Sequence, residues 1–487
     1  MRESAKGFAF IILIISLIVA AACGEKSITL VHKNIDSDTS EKISTDSLSD
    51  TMADSDSDTL SDTETGSICL PLADRIRVTD IDVGQKVIAN EQDAGLMPIA
   101  LSPIPRGGTR LVWLGDDNLV HISTLNSNDV LTDNSVALSA ADFQDIHATD
   151  NGGVILLTRD AEGGGTLNCG SEDNLCGIPD APIPCYDMYM VGFEGNKETF
   201  ATKLTSARAD LPPYSTGPTG MPVSMIWWYG HHGRIASDGT SYAAYYGTAL
   251  SVSNGECVNI HQGDQMRVLD EGGNIIDGGF NWGCSPSGYE RVIWNDAAHA
   301  YVAVCKSEEI VDTEGSGVLA FAPDHTAIWH GDPWYSNFSE LVVAKDGGYW
   351  MGVSDRKAGE PERSSGLAQV LLLHFTSSGV DLQYTIEGEI NSNTRAPHLA
   401  GFGEDQLLLM YESSPDGGEM SETDLRTVTI ETRSYNDGTI IGEPIVVPDV
   451  RGHRYNALRT FPDGTVAFPI AGTTDHTIKI MRITPCP

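Results

Sequence analysis

Short apolar runs separated by turn residues recur through most of the chain. GRIASDGTSYAAYYGT (233–248) is one copy, and ALSPIPRGGTRLVWLGD (100–116), QDIHATDNGGVILLTRD (144–160) and ERVIWNDAAHAYVAVCK (290–306) are others. SELVVAKDGGYWMGVSD (339–355), PHLAGFGEDQLLLMYES (397–413) and NALRTFPDGTVAFPIAG (456–472) complete seven copies, mostly about 45 to 60 residues apart. Each reads as a short strand, a tight turn and a more apolar strand. The turns are usually built on Asp-Gly or Gly-Gly, which supply the positive φ that tight hairpin turns need. One supersecondary unit repeated at this period predicts a repeat architecture.

A second hairpin sits between copies, as in MYMVGFEGNKETFATKL, VLAFAPDHTAIWH and VTIETRSYNDGTIIGEPIVV. Two hairpins make four antiparallel strands, the content of a propeller blade. The second strand of the first hairpin, such as VILLTR or LLLMYE, is apolar at successive positions rather than alternate ones. A sheet with one wet face would alternate; a blade stacked between two neighbours would not. The chain is therefore expected to be all-β, a propeller of seven four-stranded blades. Its seventh copy ends in TIKIMRITPCP, one strand short, and RIRVTDIDV (75–83) is placed to supply the missing strand. Cys69 and Cys486 stand at the two ends that this closure would join, so a disulfide between them is expected to clasp the ring.

The front of the chain follows another pattern. Arg2 and Lys6, the apolar run IILIISLIVA and a string of small residues predict a secretory signal over 1–22. Ala20-Ala21-Ala22-Cys23 resembles the bacterial lipobox, which would make Cys23 a lipidated residue and tie the protein to a membrane. Gly24, in place of Asp, points to the outer membrane or cell surface. Residues 23–67 are almost entirely Asp, Ser and Thr, a composition that cannot bury enough apolar surface to order itself. Such a tether spans about 35 to 40 Å r.m.s.. Asp54, Asp56 and Asp58 lack the glycine and glutamate of a calcium loop. Residues 68–487 are left for the propeller.

Charge and cysteine count narrow the partners. Thirty Lys and Arg against 68 Asp and Glu give a net charge of −38, which argues against nucleic acid and anionic lipid head groups. Setting Cys23 aside from nine cysteines leaves eight, an even set that in an exported chain predicts four disulfides. Cys284 precedes a hairpin that ends at Cys305, so these two are expected to pair. Cys257 is expected to reach one of Cys169, Cys176 and Cys185. No Cys/His cluster has zinc spacing, and no cofactor is expected.

The hairpin turns are short, whereas the other connections, such as TRDAEGGGTLNCGSEDNLCGIPDAPIPC, are long. In a propeller these fall on opposite faces, and long loops on a rigid scaffold are where binding usually lives. Near the first strands stand His147, His231, His232, Tyr289, Glu290, Glu340, Arg395, His398, His453, Arg454 and Tyr455. A ring of such groups at the long-loop end of the axis fits an anionic or hydroxyl-rich ligand, or a divalent ion. The same groups would serve equally as hydrogen-bonded plugs at the strand mouths. If His147, His232, His398 and His453 gather there, a bound anion is favoured at acid pH and a bound metal at alkaline pH. Trp227, Trp228 and Tyr229 are candidates for stacking on a sugar, or for capping the core between blades.

Nucleophile-elbow, phosphate-loop and zinc-protease signatures are absent from the sequence, as are those of sialidase, WD40 and kelch propellers. The lipobox, the Asp/Ser/Thr tether, FNWGCSPSGYERVIWND, RAPHLAGFGEDQLLLMYE and RGHRYNALRTFPDGTVAFPIAG resemble uncharacterised β-propeller lipoproteins of myxobacteria-like bacteria. That resemblance implies the fold and the tether but no activity. The sequence thus favours a membrane-tethered binding module for glycan or protein ligands on its long-loop face. A polysaccharide hydrolase or lyase with an axial active site is the rival, and a passive envelope scaffold the third possibility.

Overall fold

The seven hairpin copies form seven inner strand pairs, each extended by the hairpin that follows it. The computed structural model describes residues 69–486 apart from 89–98, most of 161–185 and 206–232, 255–256, 282, 285–288, 308–316, 333, 362–364, 387, 389–390, 419–425 and 449. The first strands of blades 1 to 7 are Ile99–Pro103, Asp142–Ala148, Arg234–Ser237, Arg291–Asn295, Val342–Val343, Asn393–Phe402 and Arg459–Thr460. Each begins a four-stranded antiparallel sheet, with one extra short strand, Val223–Met225, on blade 3. The first strands touch in order, and that of blade 7 touches that of blade 1, so they ring a central axis. The protein is a seven-bladed β-propeller.

Blade 6 shows why the second strands lack alternation. Along Gln406–Ser414, Leu408 and Met410 join a core shared with blade 7, including Phe468 and Met481. Leu407, Leu409 and Tyr411 join a separate core with Trp350 and Leu372 of blade 5. Both faces of the strand are dry because a neighbour covers each. At the rim that cover ends, and the outermost strand Ile440–Val447 is largely exposed.

The turns carry their own chemistry. Oδ1 of Asp238 accepts hydrogen bonds from the Thr240 and Ser241 amides at 2.7 and 2.6 Å, and Asp463 accepts from the Thr465 amide at 3.0 Å. These are Asx turns, in which the side chain satisfies the backbone that the bend leaves open. Gly464 adopts φ +77°, and a Cβ there would meet the Gly403 Cα at 2.8 Å. Only glycine lets the turns of blades 6 and 7 approach so closely, and the Gly403 amide donates to the Gly464 carbonyl.

The ring closes as the sequence suggests. Ile76–Asp82 pairs antiparallel with Thr477–Ile483 and becomes the outer strand of blade 7. Cys69 and Cys486 form a disulfide across 417 residues of sequence, which on the chain-entropy account stabilises by on the order of 5 kcal/mol. Asp129 of blade 1 reinforces the seam, bound by Arg482 at 2.7 Å and Arg77 at 2.5 Å. Cys284 and Cys305 form a second disulfide beneath blade 4. The pairing expected of Cys257 with Cys169, Cys176 or Cys185 falls on side chains outside the described residues.

Candidate functional site

An inner strand of a propeller has a free edge facing the axis, and its unpaired amides need acceptors. Side chains of the neighbouring blade provide them. The Asp145 carboxylate of blade 2 accepts from the Ile235 amide of blade 3 at 2.9 Å, and Gln144 accepts from Gly233 at 3.1 Å. Glu340 of blade 5 accepts from the Leu399 amide of blade 6 at 3.1 Å, and Ser102 of blade 1 from Ala148 of blade 2 at 2.9 Å. Two register shifts aim these groups, one between Phe143 and Asp145 and one between Arg395 and His398. Bulges of this kind re-aim side chains at the cost of one ladder contact.

Three arginines cross this ring, two of them beside its carboxylates. Arg459 of blade 7 donates to Asp145 of blade 2, two blades away. Arg234 of blade 3 lies 4.0 Å from Glu340 and donates to the Tyr455 carbonyl at 2.8 Å, crossing the axis to blade 7. Arg291 of blade 4 donates to the Ser339 and Phe338 carbonyls at 2.8 and 2.9 Å. His398 stands 3.4 Å from Glu340. Burial and the charge of Arg291 lower the Arg234 guanidinium to about 9, against the pull of Asp145 and Glu340. Burial also presses on Glu340, but His398, Arg291 and Arg234 outweigh it and hold the carboxyl at about 2.

Above this charged floor lies a cavity of about 810 Å³. Its lining includes Pro103, Pro105, Lys345, Glu404 and Pro462, all at the inner-hairpin turns, so it opens between the tight turns. A second cavity of about 360 Å³ beside blades 3 and 4 shares Ile293, Glu340, Leu341 and Arg459 with it. Towards the long-loop end the axis is occupied instead by aromatic rings. Tyr289, ahead of blade 4, lies 5.8 Å from both Tyr455, ahead of blade 7, and Phe338. Tyr289 adopts φ +59° there, a left-handed conformation uncommon for a bulky residue.

The sequence-derived candidates therefore occupy several levels rather than one ring at the long-loop end. Strands rise about 3.3 Å per residue, so a few positions along an inner strand change the depth by a whole layer. His147 lines the cavity near its mouth, and burial followed by the Arg459 charge pushes its pKa down. Glu340 and His398 lie at the floor, with the His398 ring against Phe468. Arg395 donates to Asn393 and the Trp334 carbonyl and covers the Tyr335 ring. His453 accepts from the Tyr455 amide at 3.2 Å, and Arg454 lies over the Tyr455 ring. Glu290 is fully buried near Asp264, whose carboxyl is raised by burial and by Glu290. His231, His232, Trp227, Trp228 and Tyr229 lie outside the described residues.

Arg234, Arg291, Arg459 and Asp145 were not singled out by sequence, though a signal existed. Arg234 and Arg459 each stand four residues before their turn aspartates, Asp238 and Asp463, where blades 2 and 5 carry Ile146 and Val342. Among the described residues, the His/Cys/Asp/Glu group compact enough for a metal is Asp264, Cys284 and Cys305. Its sulfurs are committed to the disulfide.

No family model matches the chain, and no curated protein matches it in sequence. Solved structures do resemble it. A protein of unknown function from Dyadobacter fermentans is 10% identical, with a TM-score of 0.38 over 84% of this chain and 99% of that one. An α-L-arabinanase of Penicillium chrysogenum complexed with arabinobiose is 10% identical, with a TM-score of 0.38 over 83% and 98%. The Dos1 propeller is 8% identical, with a TM-score of 0.37 over 80% and 93%. Likenesses this distant carry nothing about ligand or chemistry.

Proposed function

We propose that this protein is an exported, lipid-anchored binding propeller whose ligand enters the axial funnel from the tight-turn face and presents an anionic group to its arginine floor. One observation carries this: Arg459 lines both axial cavities, and 22% of its side chain stays exposed there. Arg234 and Arg291 line the smaller of these cavities with it, so an anion there faces three guanidinium groups. Glycan or protein recognition by the long loops remains the companion proposal for the opposite face.

Binding accounts for the floor better than hydrolysis does. A glycosidase of the usual type needs one carboxyl protonated beside one ionised. Glu340, the buried carboxyl lining the funnel, is held as an anion by three neighbouring groups and has no proton to give at neutral pH. The test is calorimetric titration of the mature chain with glucuronate, butyrate and decanoate against their neutral amides. At least one carboxylate should bind tenfold or more tightly than its amide, and Arg459→Gln should remove that preference while Arg459→Lys keeps part of it. Equal binding of acids and amides, or an Arg459→Gln protein that binds unchanged, would overturn the proposal. The tether is tested separately, by palmitate labelling that should vanish in Cys23→Ser.

A further inference from the structure

The funnel walls limit what can follow the anionic group inward. Ile293, Val342, Val343, Pro103, Pro105 and Pro462 line the cavity and are each half-buried or exposed, so apolar atoms make up much of the wall that solvent reaches. Several polar groups of the wall are already engaged. Ser102 accepts from the Ala148 amide, the Thr460 hydroxyl donates to the Gly401 carbonyl at 2.7 Å, and Glu340 is bound by Leu399 and His398. Away from His147, Lys345 and Glu404, a sugar would bring hydroxyls against a wall with few open partners, and each buried hydroxyl without one is a penalty. A hydrocarbon chain brings no such demand. The partly exposed Arg459 side chain lies at the inner end of this wall and the mouth is framed by prolines, which suits a charged head entering first with an apolar tail behind it.

We infer that the funnel is a site for a medium-chain aliphatic monocarboxylate, seated with its head on Arg459 and its tail along Ile293, Val342 and Val343. The inference rests on the axial-anion proposal above and specifies its ligand. It follows from charge complementarity at the floor together with the wall above it: the head group meets the Arg459 guanidinium, and the tail covers apolar surface that otherwise faces water. Each methylene buried from water is worth about fourfold in affinity.

The experiment titrates the mature full chain with decanoate below its micelle concentration, butyrate, decanamide, glucuronate and a Leu-Leu-Leu peptide with a free carboxylate. Decanoate is expected to bind at least tenfold more tightly than butyrate and than decanamide, and more tightly than glucuronate and the peptide. Val342→Asn should weaken decanoate at least threefold and leave butyrate within twofold, whereas Arg459→Lys should weaken both carboxylates alike. Unliganded melting temperatures identify any variant that fails to fold, and Val343→Asn provides a second wall variant. Glucuronate or the peptide binding more tightly than decanoate, with Arg459 still required, would overturn the aliphatic ligand and leave the anion site standing. Decanamide matching decanoate would overturn the anion site, and no binding by any probe would overturn both.

Discussion

Two buried glutamates, Glu340 and Glu412, lie at different depths of the molecule, and their carboxyls are pushed in opposite directions. Glu340 sits at the funnel floor between blades 5 and 6. It receives the Leu399 amide and lies beside His398, Arg291 and Arg234, and its carboxyl falls to about 2. Glu412 sits near the long-loop end of the blade 6 strand Gln406–Ser414. Arg426 donates to one of its oxygens at 2.9 Å, while the other is buried without a hydrogen-bond partner. Burial there outweighs Arg426, the Gly452 amide and Arg451, and the carboxyl rises to about 7. Burial alone decides neither case. At Glu340 the neighbouring charges outweigh burial, and at Glu412 burial outweighs them. The floor of the funnel is built to keep a charge, and the long-loop end of blade 6 is built to let one go.

The largest expected effect comes from removing that difference at its charged side. Glu340→Gln leaves Arg234 and Arg291 without the carboxylate that compensates them, and breaking a buried pair in this way costs about 3–5 kcal/mol. Glu412→Gln replaces a group that is already largely protonated below neutrality. It should change stability by less than about 1 kcal/mol at pH 4, where the folded and unfolded carboxyls are both largely protonated and the amide keeps the shape of the neutral acid. Denaturant unfolding of both variants at pH 4, where Glu340 is still ionised, checks the contrast. Equal losses would show that Glu412 is ionised in the folded protein.

The next effect is one of pH, and the two sites give opposite slopes. Glu340 loses its proton more readily folded than unfolded. Its contribution is therefore complete above about pH 4.5 and is lost as pH falls towards 2. Glu412 holds its proton more tightly folded than unfolded. Its contribution is complete below about pH 4.5 and declines as pH rises to 7. Unfolding free energies measured from pH 2 to 8 should show a Glu412-dependent fall between 4.5 and 7 that Glu412→Gln removes. A wild-type curve that Glu412→Gln leaves unchanged across that window would rule out the raised carboxyl.

The same contrast explains which parts of the molecule were legible in the sequence. Hairpins, blade count and ring closure rest on local turn chemistry and on a pattern repeated seven times, and Asp238 and Asp463 show that the turn residues act where they stand. The two disulfides followed from that topology, because Cys69 and Cys486 flank the closing strands and Cys284 and Cys305 flank one hairpin. Depth along the axis was not legible. His147, His398 and His453 looked equivalent as polar residues near inner strands, yet a bulge at Arg395–His398 and the rise along each strand place them in separate layers. The arginines were hidden for a different reason. Arg234, Arg291 and Arg459 each look like an ordinary polar residue in an ordinary strand, and their meaning lies in reaching other blades.

The smallest expected effect probes how finely Glu412 is balanced. Gly452 lies against it, and a Cβ added there would meet Cγ at 3.0 Å, Cδ at 3.2 Å and Oε1 at 3.4 Å. Gly452→Ala would thus place a methyl group where the carboxyl has its last free space. The neighbour must yield by a few tenths of an ångström, a tight fit expected to cost about 1 kcal/mol. The methyl group also removes whatever water reaches the unpartnered oxygen, so the carboxyl should rise further, by a fraction of a unit. Stability of Gly452→Ala relative to wild type should therefore worsen between pH 5 and 8, because deprotonation becomes still less favourable when folded. The reverse trend, with the variant gaining on wild type as pH rises, would mean that the methyl group pushes Glu412 out towards solvent and the Arg451 charge. That outcome would place the long-loop end of blade 6 closer in character to the funnel floor.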